Sequence, residues 1–340
     1  MCHTHIGYLT SKGVHSMFKG KNVLIAGGTG MTGRMLSQLL IEQGANLRIT
    51  SLDDQSRAHP KAKDFLRRDL TNFDNCLEVC RDMDYVFNLL CTKGSPETLK
   101  NKPATIMRPM TLFNLHLFDA ARQLGIKGFL YTSSVGVYYP DALMQEDSTE
   151  TGPPSPTDFA GRTKLYGEWY AMALTREYNF NVDIVRPANI YGPYDNFDSS
   201  NSSVIPSLIK RALTEDPFIV WGNGSPVRDF IHAEDVARGI LLVAEKNPRQ
   251  PINIGSGVGV TIKSLVEIIV SYLDKKPKVV WDNTKPNGDA QRLLDISRAQ
   301  ILGFKQTISL REGIMSTIEW YKKNKDITAK RYDIFDTDTG

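Results

Sequence analysis

The chain has 340 residues, 41 Lys and Arg against 38 Asp and Glu, and a formal net charge of +3. A hydrophobic content of 41% can offset the entropy of ordering, so a mainly disordered chain is excluded. The charge is too small for a nucleic-acid footprint, and the apolar runs are too short to predict a membrane span. The four cysteines, Cys2, Cys76, Cys80 and Cys91, do not complete a zinc spacing. They read as free thiols of a reducing compartment, with no metal expected. The first residues lack the apolar stretch of a secretory signal, so a cytoplasmic location is expected.

Residues 1–16 read as an extension without a role in the fold. Residues 21–26 (KNVLIA) predict a buried strand that runs into GGTGMTG. A helix follows, with Met35, Leu36, Leu39 and Leu40 on its apolar face. Residues 46–52 predict a second strand, 74–82 a helix and 85–90 a third strand. Residues 107–124 form an amphipathic helix pattern, 128–132 a strand, 162–178 a helix and 182–186 a strand, with a Pro-rich loop around Pro153, Pro154 and Pro156. This alternation predicts βαβ crossovers and a parallel sheet. After Pro187 the chain becomes rich in Asn, Ser, Gly and Pro, which suits a smaller substrate domain over the carboxyl edge of that sheet. The expected fold is α/β: a Rossmann-type parallel sheet flanked by helices, with a smaller C-terminal α/β domain. Its expected boundaries are 17–188 and 229–256 for the first unit and 189–228 and 257–325 for the second. Residues 326–340 read as a loose tail.

Gly27, Gly30 and Gly33 lie between a strand and a helix. Glycines at this spacing let backbone N–H groups approach a pyrophosphate, and the helix N-terminus favours its negative charge. Asp53 closes the second strand, where a carboxylate accepts from the adenosine ribose hydroxyls and repels a 2′-phosphate. NAD is therefore favoured, with NADP the alternative. Asp69 and Leu70 follow the next extended stretch and are placed near the adenine. Arg228 offers a planar fork for phosphate oxygens, Arg292 a second cation and Trp221 a flat face.

Three further stretches carry a family resemblance: residues 132–138 (TSSVGVY), 186–193 (RPANIYGP) and 228–232 (RDFIH). With the glycine loop they make residues 18–325 resemble the extended short-chain dehydrogenases/reductases that modify nucleotide sugars. The C-terminal half resembles the GDP-fucose synthase branch in residues 191–206, 220–232 and 285–295. The resemblance implies a GDP-sugar substrate, a homodimer built on the helices at 107–124 and 162–178, and a role in making deoxy- or heptose-type sugars for polysaccharide. It extends the cofactor set to Met31, Thr32, Leu89, Lys164 and Pro187. It also implies a substrate set of Ser134, Asn189, Val204, Lys210, Trp221, Arg228 and Arg292.

The family's proton-transfer chemistry uses Tyr-x-x-x-Lys on one helix face. The lysine lowers the tyrosine pKa and holds the nicotinamide ribose. Lys164 fits, but Ala160 stands where the tyrosine belongs. The branch's epimerising cysteine and histidine are also missing; Val135-Gly136 and Ser203 occupy those stretches. Double epimerisation is therefore not expected. Ser134 matches the serine that holds the sugar C4 oxygen.

Three readings follow. The first is an oxidoreductase acting at C4, with the proton passing through Ser134, water, Tyr138 or Glu146. The expected catalytic set for this reading is Ser134, Lys164 and Tyr138. The second is an epimerase or dehydratase with a retained cofactor and a base in a lid loop or in Cys91-Thr92-Lys93. The third is a non-catalytic nucleotide-sugar-binding paralogue.

Overall fold

The computed structural model describes residues 17–92, 101–139, 143–151, 159–198, 202–285, 287–325 and 331–333. The expected N-terminal extension and the Pro-rich loop at 153–156 lie outside these residues. The first unit is built from β1 (Asn22–Ala26), α1 (Met31–Glu42), β2 (Asn46–Ser51), β3 (Asp64–Arg67) and α2 (Phe73–Cys80). It continues with β4 (Tyr85–Asn88), α3 (Pro103–Gln123), β5 (Gly128–Thr132), α4 (Phe159–Tyr178) and β7 (Val182–Pro187), while a short β6 (Leu143–Met144) between β5 and α4 pairs into the smaller sheet. The chain then forms β8 (Asn189–Tyr191), α5 (Val204–Thr214), β9 (Phe218–Trp221), β10 (Val227–His232), α6 (Ala233–Lys246) and β11 (Ile252–Ile254). It ends with β12 (Gly259–Thr261), α7 (Ile262–Ser271), β13 (Val279–Asp282), β14 (Gln291–Leu294) and α8 (Leu310–Lys323).

Seven strands form one sheet in the order β11-β7-β5-β4-β1-β2-β3, and every pairing in it is parallel. Helices cover both faces, which explains why β1 and β4 are buried on both sides and carry consecutive apolar residues at 23–26 and 85–87. On one face α1 packs against α6; on the other α3 packs against α2 and α4. Each face has its own core. Leu36, Ile49, Phe87 and Ile240 belong to one, and Phe118, Phe129, Tyr131 and Ile184 to the other.

The helices expected at 107–124 and 162–178 start three or four residues earlier, whereas the one expected at 74–82 ends at Cys80. α3 begins at Pro103 because proline is compatible with the first helical turn, where its missing N–H is not needed. β4 stops at Asn88 rather than 90; beyond it the Leu90 N–H donates to Asn88 Oδ1 and the Leu90 carbonyl accepts from the buried Lys164.

The second unit has its own core around Tyr191, Phe218, Ile269 and Ile314. β10 is its hub: Phe230–His232 run parallel to β8, while Val227 and Arg228 pair with β12 and β14. The sequence-based boundary at 229 therefore falls inside this strand, which belongs to the smaller sheet. α6 then returns the chain to the large sheet through β11. The tail also departs from expectation. After α8 the chain reaches back to the first unit, where Arg331–Asp333 line the same cavity as β2's carboxyl end.

Candidate active site

One cavity of about 1510 Å³ runs along the carboxyl edge of the large sheet, from the glycine loop to Trp221 and Arg228. Open α/β sheets bind ligands at this edge. Its first wall is the loop between β1 and α1. Gly27 sits at φ +85°, a conformation that favours glycine, and an added Cβ would lie 3.3 Å from the Leu89 carbonyl. At Gly33 a Cβ would come within 2.5 Å of the Gly27 oxygen, so α1 can approach the loop only because this residue lacks one. α1 has no side-chain cap at Gly30, which leaves the N–H groups of its first turn available to an anion. Met31 and Thr32 begin that turn and line the cavity. The loop thus fits a dinucleotide diphosphate.

Asp53, just past β2, is the carboxylate expected to meet the adenosine ribose, and it lines this cavity. Its Oδ2 accepts from the Thr29 hydroxyl at 2.8 Å, and its Oδ1 accepts from the Tyr332 N–H at 2.8 Å. The guanidiniums of Arg57 and Arg331 lie 3.9 and 3.8 Å from Oδ2. Asp69 and Leu70 line the same region, although Asp69 Oδ1 is engaged by the N–H and hydroxyl of Thr71.

Lys164, the residue expected to hold the nicotinamide ribose, also lines the cavity. It is 3% exposed, and its ammonium donates to the Leu90 carbonyl at 2.8 Å and the Thr132 carbonyl at 2.7 Å. Two of its three protons are thereby used. Burial pushes its pKa below the ordinary lysine value, against the opposing influence of Cys91 and Glu168. Ser134 Oγ accepts the Gly136 N–H at 3.0 Å, which leaves the hydroxyl proton free to be donated into the cavity. Ala160, Ser203, Leu89, Pro187, Asn189 and Val204 also line it.

Four expected residues are not brought to this cavity. Tyr138 is 3% exposed; its hydroxyl donates to Asn253 Oδ1 at 2.6 Å and accepts from Arg186 at 2.9 Å. Burial raises its pKa despite Arg186, so it is a packed network member rather than a cavity-facing proton donor. Glu146 is spent in the same way, since Oε1 accepts the Asn253 N–H at 2.9 Å. Arg292 is clamped to Asp289 at 2.6 Å, and neither it nor Lys210 on α5 is among the lining residues.

Arg228 does line the cavity, fixed by the carbonyls of Val227 and Asp289 at 2.8 Å each. Trp221 is 59% exposed, with Lys285 Nζ 5.5 Å from the ring centroid. Arg108, Arg211 and Arg331–Asp333 line the cavity without having been expected. The helical cations look like any solvated helix face in sequence, and the tail carries no motif.

A phosphate-accepting glycine loop, a carboxylate after β2 and a buried lysine at the sheet edge define a dinucleotide-dependent enzyme of the Rossmann type. Residues 23–255 match the model of the NAD dependent epimerase/dehydratase family, and the chain belongs to that family. It is 30% identical to the "Probable GDP-L-fucose synthase 1" of Oryza sativa subsp. japonica over 96% of this chain and all of that protein. Among solved structures it is similar to the epimerase Mth375 of Methanothermobacter thermautotrophicus, at 25% identity and a TM-score of 0.84 over 92% of this chain and 96% of that one. It is also similar to MoeE5 in complex with UDP-glucose and NAD, at 27% identity and a TM-score of 0.77 over 89% and 99% of the two chains. Among the described residues no helix is long and apolar enough to cross a membrane, and no cluster of side chains could hold a metal ion.

Proposed function

We propose that this enzyme transfers a hydride between NAD and C4 of a nucleotide-diphosphate sugar, with GDP as the nucleotide. The observation that carries the reading is the pairing of Lys164 and Ser134 in a cavity that continues without interruption to Arg228 and Trp221. NAD, when bound, accepts the hydride from the sugar carbon or returns it. Lys164 keeps one N–H for the nicotinamide ribose. Ser134 donates to the C4 oxygen. Arg228 faces the sugar diphosphate with a preset fork, and Trp221 offers its face to the base. The likeness to a probable GDP-L-fucose synthase supports GDP over other nucleotides. Without the helix tyrosine at Ala160, the hydroxyl proton leaves through Ser134 and solvent, at a cost of about 10²–10⁴ in rate.

A second reading, an epimerase or dehydratase that retains its cofactor, is favoured by one observation. Cys91 is exposed three residues past β4, next in the chain to the Leu90 carbonyl that Lys164 holds. The reaction is tested by incubating the protein with NAD or NADH and a panel of GDP-, UDP- and dTDP-sugars, following nicotinamide absorbance and product by NMR. The expected result is turnover of a GDP-sugar that Lys164→Met abolishes while NAD still binds. Product formed without net change in nicotinamide absorbance supports the second reading. Turnover restricted to UDP-sugars refutes the GDP assignment, and no turnover by the wild type refutes hydride transfer.

The chain is further proposed to act as a cytoplasmic homodimer. Tyr166, Trp169 and Met172 are 47%, 53% and 48% exposed on α4, a stripe of large side chains on one of the two helices expected to pair.

A further inference from the structure

The C-terminal segment Arg331–Asp333 reaches a place that the tail of a two-unit chain has no architectural need to visit. The Tyr332 N–H donates to Asp53 Oδ1 at 2.8 Å, and the Arg331 guanidinium stands 3.8 Å from Oδ2. Arg331 Nη2 is also 3.5 Å from the Thr29 carbonyl and 3.7 Å from where a Cβ of Gly30 would stand, so it borders the phosphate-facing turn. All three residues line the cavity, and Asp53 beneath them is only 9% exposed.

We propose that this segment is part of the cofactor site: a clasp that closes the adenosine end and holds the dinucleotide in place. The inference rests on the assignment of Asp53 to the adenosine ribose. A carboxylate has about four lone-pair positions. Thr29 and Tyr332 take one each, and the remaining pair suits the vicinal hydroxyls of a ribose. The charge of the segment points the same way. Arg331 brings a cation to the edge of the loop where the cofactor diphosphate is expected, and an anion there attracts the segment rather than expelling it. Arg331 also opposes the charge on Arg57, a repulsion that a bound phosphate relieves. A dinucleotide can then leave only after the segment lets go of Asp53.

The test is the rate of NADH release from the full-length protein, read as loss of bound-nicotinamide fluorescence on mixing with excess NAD. Arg331→Ala removes the cation, and Tyr332→Pro removes the N–H. Each is expected to speed release roughly 10- to 100-fold, the worth of one hydrogen bond or ion contact to a charged group. Tyr332→Ala keeps the amide and is expected to release NADH more slowly than Tyr332→Pro. Exchange of the Tyr332 amide hydrogen is expected to slow when NADH binds. Unchanged release in both variants refutes the clasp. Slower release, or faster amide exchange with NADH bound, also refutes it and identifies the segment as a competitor for the ribose seat. NADH bound with unaltered release overturns only this inference, whereas a wild-type chain that binds no NADH overturns the cofactor site as well.

Discussion

Arg186→Met tests the polar network beneath the catalytic edge. Arg186 is 2% exposed, and its guanidinium meets Glu168 at 2.9 and 2.5 Å. It also donates to the Tyr138 hydroxyl at 2.9 Å, the Glu146 carbonyl at 2.9 Å and Thr149 Oγ1 at 3.1 Å. Methionine approximates the stem but leaves Glu168, 1% exposed, with a buried and unbalanced charge. Breaking a buried pair from one side costs about 3–5 kcal/mol. The loose carbonyl and hydroxyls add less, because Tyr138 keeps Asn253 and losses within one network do not sum. Urea unfolding of the unliganded protein, followed by circular dichroism, gives the stability change. Adding Glu168→Gln to Arg186→Met removes the orphaned charge and is expected to recover a large part of the loss. A loss under about 1 kcal/mol for the single variant, or a double variant no better than it, would refute the argument.

Other outcomes follow from the same structure. Ala160→Tyr places a phenol one turn before Lys164 on the cavity wall; if the missing acid limits the reaction, kcat rises by about 10²–10⁴, and no rise means another group already moves the proton. Burial pushes Asp183 up to about 7, against the Tyr85 hydroxyl donated to it at 3.1 Å. The folded chain therefore holds a proton that the unfolded chain releases, and stability falls as pH rises from about 4 to 7, by at most about 4 kcal/mol. Asp183→Asn should flatten that slope in urea melts at several pH values; an unchanged slope rejects Asp183 as its source. Trp169→Glu should convert a dimer to a monomer in light scattering, and a wild type that is monomeric at micromolar concentration refutes the proposed interface.

The large sheet was legible because its strands and helices differ so plainly in period. β1 and β4 carry consecutive apolar residues at 23–26 and 85–87, and α1 and α3 carry apolar residues at helical spacing. The cofactor loop was legible because steric exclusion leaves a mark: only glycine fits at Gly33. The substrate end was less so. Arg228 and Arg292 are register partners on β10 and β14, yet only Arg228 lines the cavity, because Asp289 captures the other. Tyr138 misled because a tyrosine four residues after Ser134 says nothing about which side of the backbone its ring occupies. The return of Arg331–Asp333 depends on tertiary proximity alone, and nothing in ITAKRYD announces it.

Lys164 also has a mechanical office. Its ammonium ties the carbonyl of Leu90, just past β4, to that of Thr132 at the end of β5. It therefore staples two neighbouring central strands where the ladder between them runs out. A change at Ala160 leaves that tie untouched, whereas a change at Lys164 removes a cavity cation and loosens the tie as well. The position of Lys164 is thus set by the frame of the sheet as well as by its place on the cavity wall.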